Sequence, residues 1–560
     1  MVNWKSRKVG DWLMFLNGLV IILLINILLD SFFFRIDLTQ EKRYSVKDQT
    51  KKVLRELDDD VYVEVFLEGD LNAEFKRFQK SIAETLEEFR IYSGNKVKYS
   101  FTEPAQAQGQ KAQAEFMNEL GAKGIQPTNV IDNKNGNRAE RIIYPGVLVS
   151  YGGAEKGVTL LKGSKTGSPA EEINQSIEGI EFELARTISN LVRTDRKKIG
   201  FVTGHGELDS LNLSSIRNDL AAEYEIHSTK LENVRSQKYQ ALVIAKPTTT
   251  FSRSDKFYLD QYIMNGGRIL FLIDRVNASM DSASRDNYFA LPYDLGLDDP
   301  LFKYGVRINM DLVQDKSASF YPVITGQTAA GKPKVTLLDW PFFPLVNHYA
   351  DHPVTRNLDA VIIRFASSID TVKAEGVKKT PLMMTSALSR TIAAPIKISA
   401  NDLRNPVPEE EYTTGAIPLG YLLEGKFTSV YKNRPPEELS NEGFKDSSVP
   451  TRLIVISDGD IIRNDINFRT RQPRPLGFDP ATNYTFANRE FIMNALAYLT
   501  EEDGLIQVRN KQVMIRPLDK SLIRESQVRW QVINLLMPLV MIVIYGIARV
   551  YWRKKKFASF

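Results

Sequence analysis

The sequence has no cysteine among its 560 residues and only four histidines. A chain without cysteine has no disulfide framework, no thiolate zinc site, no cysteine nucleophile and no lipid-modified N-terminal cysteine. Four histidines are also too few to predict a histidine-rich metal centre. We therefore expect no metal ion and no other cofactor. The absence of cysteine does not fix the compartment, because reducing and oxidising spaces both tolerate such a chain.

A phosphate-binding loop is also absent from the sequence. Such a loop follows the pattern G-x-x-x-x-G-K-S/T at a strand-to-helix turn. The nearest stretch, Gly-Ser-Lys-Thr-Gly at 163–167, lacks the upstream glycine spacing. The sequence therefore predicts no ATP hydrolysis by a loop of this kind.

Net charge is low, at +5, and much of it comes from basic clusters at the two ends of the chain. This distribution predicts no general affinity for nucleic acid. Hydrophobic content of 43% and charged content of 25% are typical of a globular protein. At about 150 residues per domain, the length allows three or four domains.

Two long apolar runs lie near the ends of the chain. The first, at 12–34, is uncharged from Leu13 to Leu29 and reaches the roughly 20 residues that span hydrocarbon. A cleavable signal peptide is the alternative interpretation, but no small-x-small cleavage site follows the run. The second run, at 530–552, has a tryptophan at each boundary, as interfacial aromatic belts predict. A buried core helix is its alternative, which the basic run at the end of the chain disfavours.

Lysine and arginine favour the cytoplasmic side of a membrane. Basic residues precede the first run and follow the second, so each run independently places its own terminus in the cytoplasm. We predict a two-pass inner-membrane protein with cytoplasmic ends at 1–11 and 553–560. The intervening residues, 35–527, then lie outside the cytoplasm, in the periplasm of a Gram-negative cell.

Hydrophobic periodicity predicts two α/β domains and a linker in this intervening region, at 35–195, 196–510 and 511–529. In the first domain, apolar residues three or four positions apart predict helices over 71–89 and 173–191. The first of these helices lies between predicted strands at 61–67 and 96–101, which makes a βαβ unit. Further predicted elements are a helix at 45–57, a helix at 110–120 and a strand at 142–151.

The second domain alternates strands with helices, which predicts a parallel sheet covered by helices. Its predicted strands are 199–203, 241–245, 268–274 and 452–457, and its predicted helices are 213–224, 255–264 and 488–499. Residues from about 297 to 450 break this alternation and are richer in proline and strand-like pieces. We interpret them as a β-rich insertion.

The motif Gly204-His205-Gly206-Glu207 follows a predicted strand, where open α/β sheets bind ligands. His205 is a candidate general acid or base, with Glu207 as its partner or as a ligand anchor. The alternative is a tight glycine turn whose polar side chains cap the next helix.

Asp458 and Asp460 end a later strand in a similar way and are further candidates for ligand binding, with turn formation as the alternative. His348 and His352 are four residues apart, but nearby prolines predict loop positions rather than one helical face. No catalytic or metal-binding residue is predicted.

Several short motifs occur along the chain: Lys42-Arg43-Tyr44-Ser45, Val202 to Glu207, Trp340-Pro341-Phe342-Phe343-Pro344, Arg452 to Asp460, Asn488-Arg489-Glu490-Phe491 and Asp503-Gly504-Leu505-Ile506. In their order, and in the topology of the chain, they resemble the GldG family of auxiliary ABC-transporter components, which are linked to bacterial gliding motility. The resemblance implies a partner permease, a cytoplasmic ATPase and a Bacteroidetes-type host. It also implies a thioredoxin-like first domain and a second domain that resembles flavodoxin or a class I glutamine amidotransferase. Without cysteine, both folds would be catalytically silent here.

We therefore predict a non-enzymatic subunit of a membrane complex that binds a permease and an ATPase, and that can form a homo-oligomer within the complex. Its periplasmic domains would bind a partner or substrate, or transmit movement driven by ATP hydrolysis. One alternative is a periplasmic hydrolase or carbohydrate-binding enzyme that uses His205 and Glu207. Another is a solute receptor with a pocket between the two domains.

Overall fold

The computed structural model describes the greater part of the chain as a mixed α/β protein with twelve α-helices and 25 strands. The described residues are 7–31, 45–104, 110–134, 137–162, 169–193, 195–283, 288–327, 331, 333–404, 406–433, 443–501, 504–510 and 520–557. Predictions for 35–44, for 163–167 and for the linker residues 511–519 lie outside this set. Residues up to Lys511 form one compact unit, and residues from Gln512 onward form a second.

The helices are α1 Arg7–Ser31, α2 Asp48–Arg55, α3 Ala73–Tyr92, α4 Gln110–Ala122, α5 Pro169–Val192, α6 Ser214–Ala221, α7 Val234–Gln237, α8 Arg253–Met264, α9 Met280–Ala283, α10 Asp298–Tyr304, α11 Asn488–Thr500 and α12 Lys520–Phe557. The first ten strands are β1 Val61–Val65, β2 Val97–Phe101, β3 Thr128–Lys134, β4 Asn137–Ile143, β5 Gly146–Tyr151, β6 Ala154–Thr159, β7 Lys198–Val202, β8 Glu225–Thr229, β9 Ala241–Ala245 and β10 Ile269–Leu272. The next eight are β11 Phe289–Ala290, β12 Val306–Ile308, β13 Asp311–Asp315, β14 Ala318–Gln327, β15 Pro333–Val346, β16 His348–Tyr349, β17 Val361–Ile362 and β18 Ile369–Thr371. The last seven are β19 Val377–Met384, β20 Ser389–Ala393, β21 Ile396–Lys397, β22 Pro418–Gly425, β23 Thr451–Ile456, β24 Phe478–Asp479 and β25 Tyr484–Thr485.

The first sheet has four strands in the order β2-β1-β5-β6. Strand β1 is parallel to β2 and antiparallel to β5, which confirms the predicted βαβ unit. Helix α3 covers the sheet because its apolar residues, spaced three or four apart, share one buried face. The side chain of Asn72 caps this helix by accepting a hydrogen bond from the Phe75 backbone N–H at 2.9 Å.

The single strand predicted over 142–151 is wrong. Two strands occupy this stretch, since β4 ends at Ile143 and β5 begins at Gly146. Pro145 lies between them and has no backbone N–H to donate, which interrupts a continuous ladder. Strand β4 pairs with β3 in a separate hairpin, whereas β5 belongs to the four-stranded sheet.

The second sheet has eight strands in the order β16-β19-β22-β23-β10-β9-β7-β8. Five of them, from β23 to β8, are mutually parallel, as the alternating pattern predicts. Strands β9 and β10 are buried along their whole length, which explains their continuous apolar sequence. The other three strands are antiparallel and come from the segment predicted to be β-rich.

One histidine does not lie in the predicted loop. His348 belongs to the short strand β16, where it pairs with Met384 of β19. Pro344 does not prevent this, because strand β15 runs through that proline before the chain turns back. His352 lies in a turn, and its ring packs edge-on against Tyr498.

Helix α12 contains Val528–Lys555, a 28-residue segment long and apolar enough to cross a membrane. At 1.5 Å per residue it extends about 42 Å, beyond the roughly 30 Å of a hydrocarbon core. Helix α1 also forms, but its apolar described segment, Trp12–Leu24, is shorter. In the described part of the chain, α12 alone meets the criterion for a span, so the first crossing stays a prediction.

The packing of α3 yields a stability prediction. Phe78 is completely buried, and we expect Phe78→Ala to lower the free energy of unfolding by about 3–5 kcal/mol through lost burial and a residual cavity. Lys80→Ala is the matched control on the same helix. Its side chain is 77% exposed, so the change should stay within about 0.5 kcal/mol. Urea unfolding followed by circular dichroism measures both, and equal losses would contradict the packing described here.

Candidate functional site

The candidate site lies at the carboxyl edge of the parallel strands. Adjacent strands β7, β9, β10 and β23 end side by side, because parallel neighbours point the same way. Each is followed within three residues by a polar side chain, and these side chains are His205, Lys246, Asp274 and Asp458. Open α/β sheets bind ligands in this position.

His205 is held between two carboxylates. Its Nδ1 lies 3.1 Å from Glu207 Oε1, and its Nε2 lies 3.2 Å from Asp255 Oδ2. The backbone N–H of His205 also donates to Glu207 Oε2 at 2.7 Å. The imidazole stacks on the Phe251 ring with centroids 3.7 Å apart, and only 7% of the side chain is exposed.

The two glycines of this motif are required by the turn. Gly204 and Gly206 have φ angles of +124° and +70°, which side-chain-bearing residues rarely adopt. A Cβ on Gly206 would lie 2.2 Å from Thr248 Oγ1 in the loop after β9. The tight glycine turn therefore forms, with both polar side chains of the motif directed at each other.

The two neighbouring carboxylates favour the charged form of the His205 imidazole. Burial lowers the pKa of the His205 imidazole, but its hydrogen bonds to Glu207 and Asp255 outweigh that effect and raise the pKa above 6.5. In the charged form both ring nitrogens are donors, and each already faces a carboxylate. No lone pair is left to accept a proton from a substrate.

Asp458 and Asp460 belong to a second, deeper cluster. Lys246 Nζ lies 2.8 Å from Asp274 Oδ2 and 2.6 Å from Asp460 Oδ2. Asp458 accepts hydrogen bonds from the backbone N–H groups of Asp460, at 2.7 Å, and Arg364, at 2.9 Å. The carboxylate of Asp274 also accepts from the Gly459 N–H.

The three carboxyl groups differ in proton affinity because nearby cations offset the effect of burial to different extents. Burial raises the pKa values of Asp274 and Asp458, and repulsion from neighbouring carboxylates adds to both. Burial also acts to raise the pKa of Asp460, but Lys246 and Arg463 lower it overall. Burial acts to lower the pKa of Lys246, yet its two carboxylate partners raise it.

The structure brings the predicted residues together in two pairs. His205 and Glu207 contact each other, and Asp458 and Asp460 contact each other, but the two pairs have different partners. Sequence reasoning missed Lys246, Asp274 and Asp255. The available signal was that Lys246 and Asp274 directly follow apolar strand runs, where the carboxyl edge places side chains near each other.

Within the described ranges, no group of histidine and acidic side chains has an arrangement that could hold a metal ion. A cavity of about 60 Å³, enough for a few water molecules, lies away from the candidate site. It lies near the amino end of β7 and is lined by Phe182, Arg186, Glu223, Thr500 and Leu505, among others.

Comparisons with known proteins identify the family. Residues 196–495, which contain both clusters, match the family described as "ABC-type uncharacterized transport system". The chain belongs to this family of ABC-transporter auxiliary components. Membership gives the protein an auxiliary role in ABC-type transport and associates it with an ABC transporter complex. The span in α12 agrees with association with a membrane.

Three further similarities cover different shares of the chain. Residues 40–150 match a domain of unknown function, DUF7088. An uncharacterized protein of Borreliella burgdorferi is 23% identical over 566 aligned positions, covering 98% of this chain and 99% of that protein. A solved structure, the mmIFT52 N-terminal domain, is 14% identical with a TM-score of 0.32, and the match covers 55% of this chain and 99% of that one.

In this auxiliary component, Lys246 is the counter-charge for two buried carboxylates. We expect Lys246→Met to lower the free energy of unfolding by about 3–5 kcal/mol, because removing one partner leaves buried charge uncompensated. Lys230→Met, at an exposed position, is the control and should stay within about 0.5 kcal/mol. The combined variant K246M/D274N/D460N should recover part of the loss in urea unfolding. A loss for K246M no larger than for K230M would contradict the assignment.

His205 predicts a pH dependence of stability. Its folded-state pKa is raised above the unfolded value of about 6.5, so its stabilisation is complete below that pH. It is lost as pH rises through the folded-state pKa. The urea midpoint of wild type should therefore exceed that of His205→Asn most below about pH 6.5, and the difference should shrink at higher pH. A difference that grows with pH would show that the imidazole is not held as a cation.

Proposed function

We propose that this protein is a non-enzymatic auxiliary subunit of an inner-membrane ABC transporter. The observation that carries the proposal is the order of two features along one chain: the family match ends at residue 495, and the span of α12 begins at Val528. A transport-associated region directly followed by a membrane helix suits a component built into a membrane complex.

A first span within 12–34 completes the proposed topology. The basic residues outside both apolar runs support this topology, with both termini in the cytoplasm and residues 35–527 in the periplasm. The soluble region would then be attached to the bilayer at both of its ends. An ATPase in the cytoplasm could act on this region only through membrane helices, either its own or those of a permease.

The strand orders support the proposed domain folds. In the second sheet the parallel strands follow the order β8-β7-β9-β10-β23, which is 2-1-3-4-5 in chain order and matches flavodoxin-like folds. The first sheet has the order 2-1-3-4 among β1, β2, β5 and β6, with a helix after β1, a helix after β2 and α5 at the end. That connectivity suits a thioredoxin-like domain. With no cysteine, neither domain has the nucleophile or dithiol of its enzymatic counterparts.

Hydrogen bonds between the loops that follow β7 and β9 support a non-enzymatic role. The strand order of the sheet reverses between these two strands. In a 2-1-3-4-5 sheet, ligands bind between the loops after the first and third strands. Here the backbone N–H groups of Thr248 and Thr249 donate to the His205 carbonyl at 2.8 and 3.0 Å. Thr248 Oγ1 donates to the Gly206 carbonyl at 3.1 Å. The two loops thus bind each other where a ligand would lie, and the His205 ring is committed to Glu207 and Asp255.

The proposed partners are a permease, which contacts the membrane helices, and a cytoplasmic ATPase bound to that permease. A second copy of this chain within the complex is compatible with the same arrangement. The resemblance to the GldG family extends the proposal to gliding-motility machinery. The periplasmic domains then bind a partner or substrate or transmit ATP-driven movement.

Purification of the intact complex tests the proposal. Full-length tagged chain, extracted from its native membrane in two mild detergents, should carry an ABC permease and an ATPase identified by mass spectrometry. The variant H205N/E207Q should recover the same partners and support the same cellular function, because these residues serve the turn. Absence of both partners in both detergents would contradict the proposal. Recovery of partners with complete loss of function in H205N/E207Q would favour the enzymatic alternative.

A further inference from the structure

Helix α5 lies at the junction of the two sheets and is buried on more than one face. Ten of its 24 residues are buried, and three consecutive ones, Ile180, Glu181 and Phe182, leave no solvent-facing stripe at mid-helix. A helix at the surface of an α/β domain has one buried face. Burial around the middle of α5 indicates that structure packs on both sides of it.

The N-terminal end of the soluble region is attached to α5 through Glu181. One carboxylate oxygen, Oε1, accepts hydrogen bonds from the Lys47 backbone N–H at 2.7 Å and from Thr50 Oγ1 at 2.8 Å. Lys47 and Thr50 lie at the start of α2, which is the first described helix after α1. Bonds from a carboxylate to a helix N-terminus are charge-assisted and favoured by the helix dipole.

The C-terminal end of the same region is attached one residue further along α5. The Arg509 guanidinium lies 5.4 Å from the Phe182 ring centroid and donates to the Arg356 carbonyl at 2.7 Å. Arg509 Nη1 is buried without a hydrogen-bond partner, and burial lowers the pKa of this arginine to about 10. Only ten residues separate Arg509 from Lys520, where α12 begins, so this attachment lies shortly before the membrane helix in the sequence.

The same helix also joins the two sheets. Glu223, which follows α6 of the second sheet, pairs with Arg186 of α5 at 2.5 Å and with Lys156 of β6 at 2.9 Å. Burial acts to raise the pKa of Glu223, but the charges of Arg186 and Lys156 outweigh it and lower the pKa to about 2. On the preceding turns of α5, Asn357 Nδ2 donates hydrogen bonds to the Gln175 carbonyl and to Glu178 Oε2, each at 3.3 Å.

From this convergence we infer that α5 is a coupling helix: displacement of either membrane-proximal end reaches both sheets through Glu181, Phe182 and Arg186. The inference rests on the proposed function for the source of the displacement, but the attachments themselves belong to the fold. Arg509 suits a movable contact. Its unpartnered Nη1 leaves this position less than fully stabilised, so a modest force on the following segment can shift it.

The absence of native cysteine allows a direct test with paired spin labels in the full chain. Labels at Lys52→Cys, exposed on α2, and Lys230→Cys, exposed after β8, report the separation of the chain's N-terminal attachment from the second sheet. In lipid nanodiscs, double electron–electron resonance should give one narrow distance distribution. When E181Q and R509M are added to the doubly labelled chain, we expect the width of this distance distribution to increase at least twofold. The circular dichroism spectrum should stay unchanged. R469M, which removes an exposed arginine, is the matched control and should leave the distance distribution unchanged.

A second arm separates this inference from the proposed function. In the purified transporter complex, vanadate trapping of the ATPase should shift the 52–230 distance in wild type, and E181Q/R509M should reduce that shift at least threefold. If no permease or ATPase accompanies the wild-type chain, the proposed function fails while the nanodisc result still decides the coupling helix. If the complex forms and the variant leaves both the distribution and the shift unchanged, α5 is not the coupling element.

Discussion

One lysine holds two buried carboxylates together at the ends of three adjacent parallel strands. Lys246 follows β9, Asp274 follows β10 and Asp460 follows β23, so the pairing fixes three loops relative to one another. Ions buried in this way lose several kcal/mol of hydration each, which their mutual attraction and hydrogen bonds must offset. The arrangement therefore tolerates little displacement. It ties together the loops at the carboxyl edge of the sheet, where open α/β sheets generally bind ligands.

The contacts around α5 differ from those at the carboxyl edge of the second sheet. At the carboxyl edge, His205 and Lys246 have all their partners. Around α5, Arg509 is buried with one nitrogen unpartnered, and the cavity beside Phe182 and Leu505 leaves room for side chains to move. A subunit that transmits movement needs a stiff body and a few incompletely satisfied contacts where force enters. Among the described residues, Arg509 is one of six side chains with a buried, unpartnered nitrogen, and ten residues separate it from α12 in the sequence.

Local sequence predicted most elements of the two sheets because their hydrophobic periodicity is strong. The apolar face of α3 predicts a helix, and the continuous apolar runs of β9 and β10 predict buried strands. Pro145 was the signal for the break between β4 and β5, but its effect depends on which neighbour each strand finds. The strand pairing of His348 could not be predicted, because two residues carry no periodicity and β19 is distant in the chain.

The candidate site was only half predictable for the same reason. His205 and Glu207 are two residues apart and are visible as one motif. Lys246 and Asp460 are 214 residues apart and meet only when the parallel strands align. The attachments on α5 are equally long-range, since Arg509 contacts Phe182 and Arg356. Sequence periodicity predicted α5 as a helix but gave no indication that Lys47, Thr50 and Arg509 would all contact it.

ATP turnover in a reconstituted system tests the central claim, an auxiliary role in an ABC transporter, most directly. The permease and ATPase proposed as partners would be placed in nanodiscs with and without this chain, and phosphate release would be measured under identical conditions. We predict that the wild-type chain changes the turnover rate at least threefold, and that E181Q/R509M binds equally well but loses most of that effect. An unchanged rate, with the chain demonstrably bound, would contradict the account.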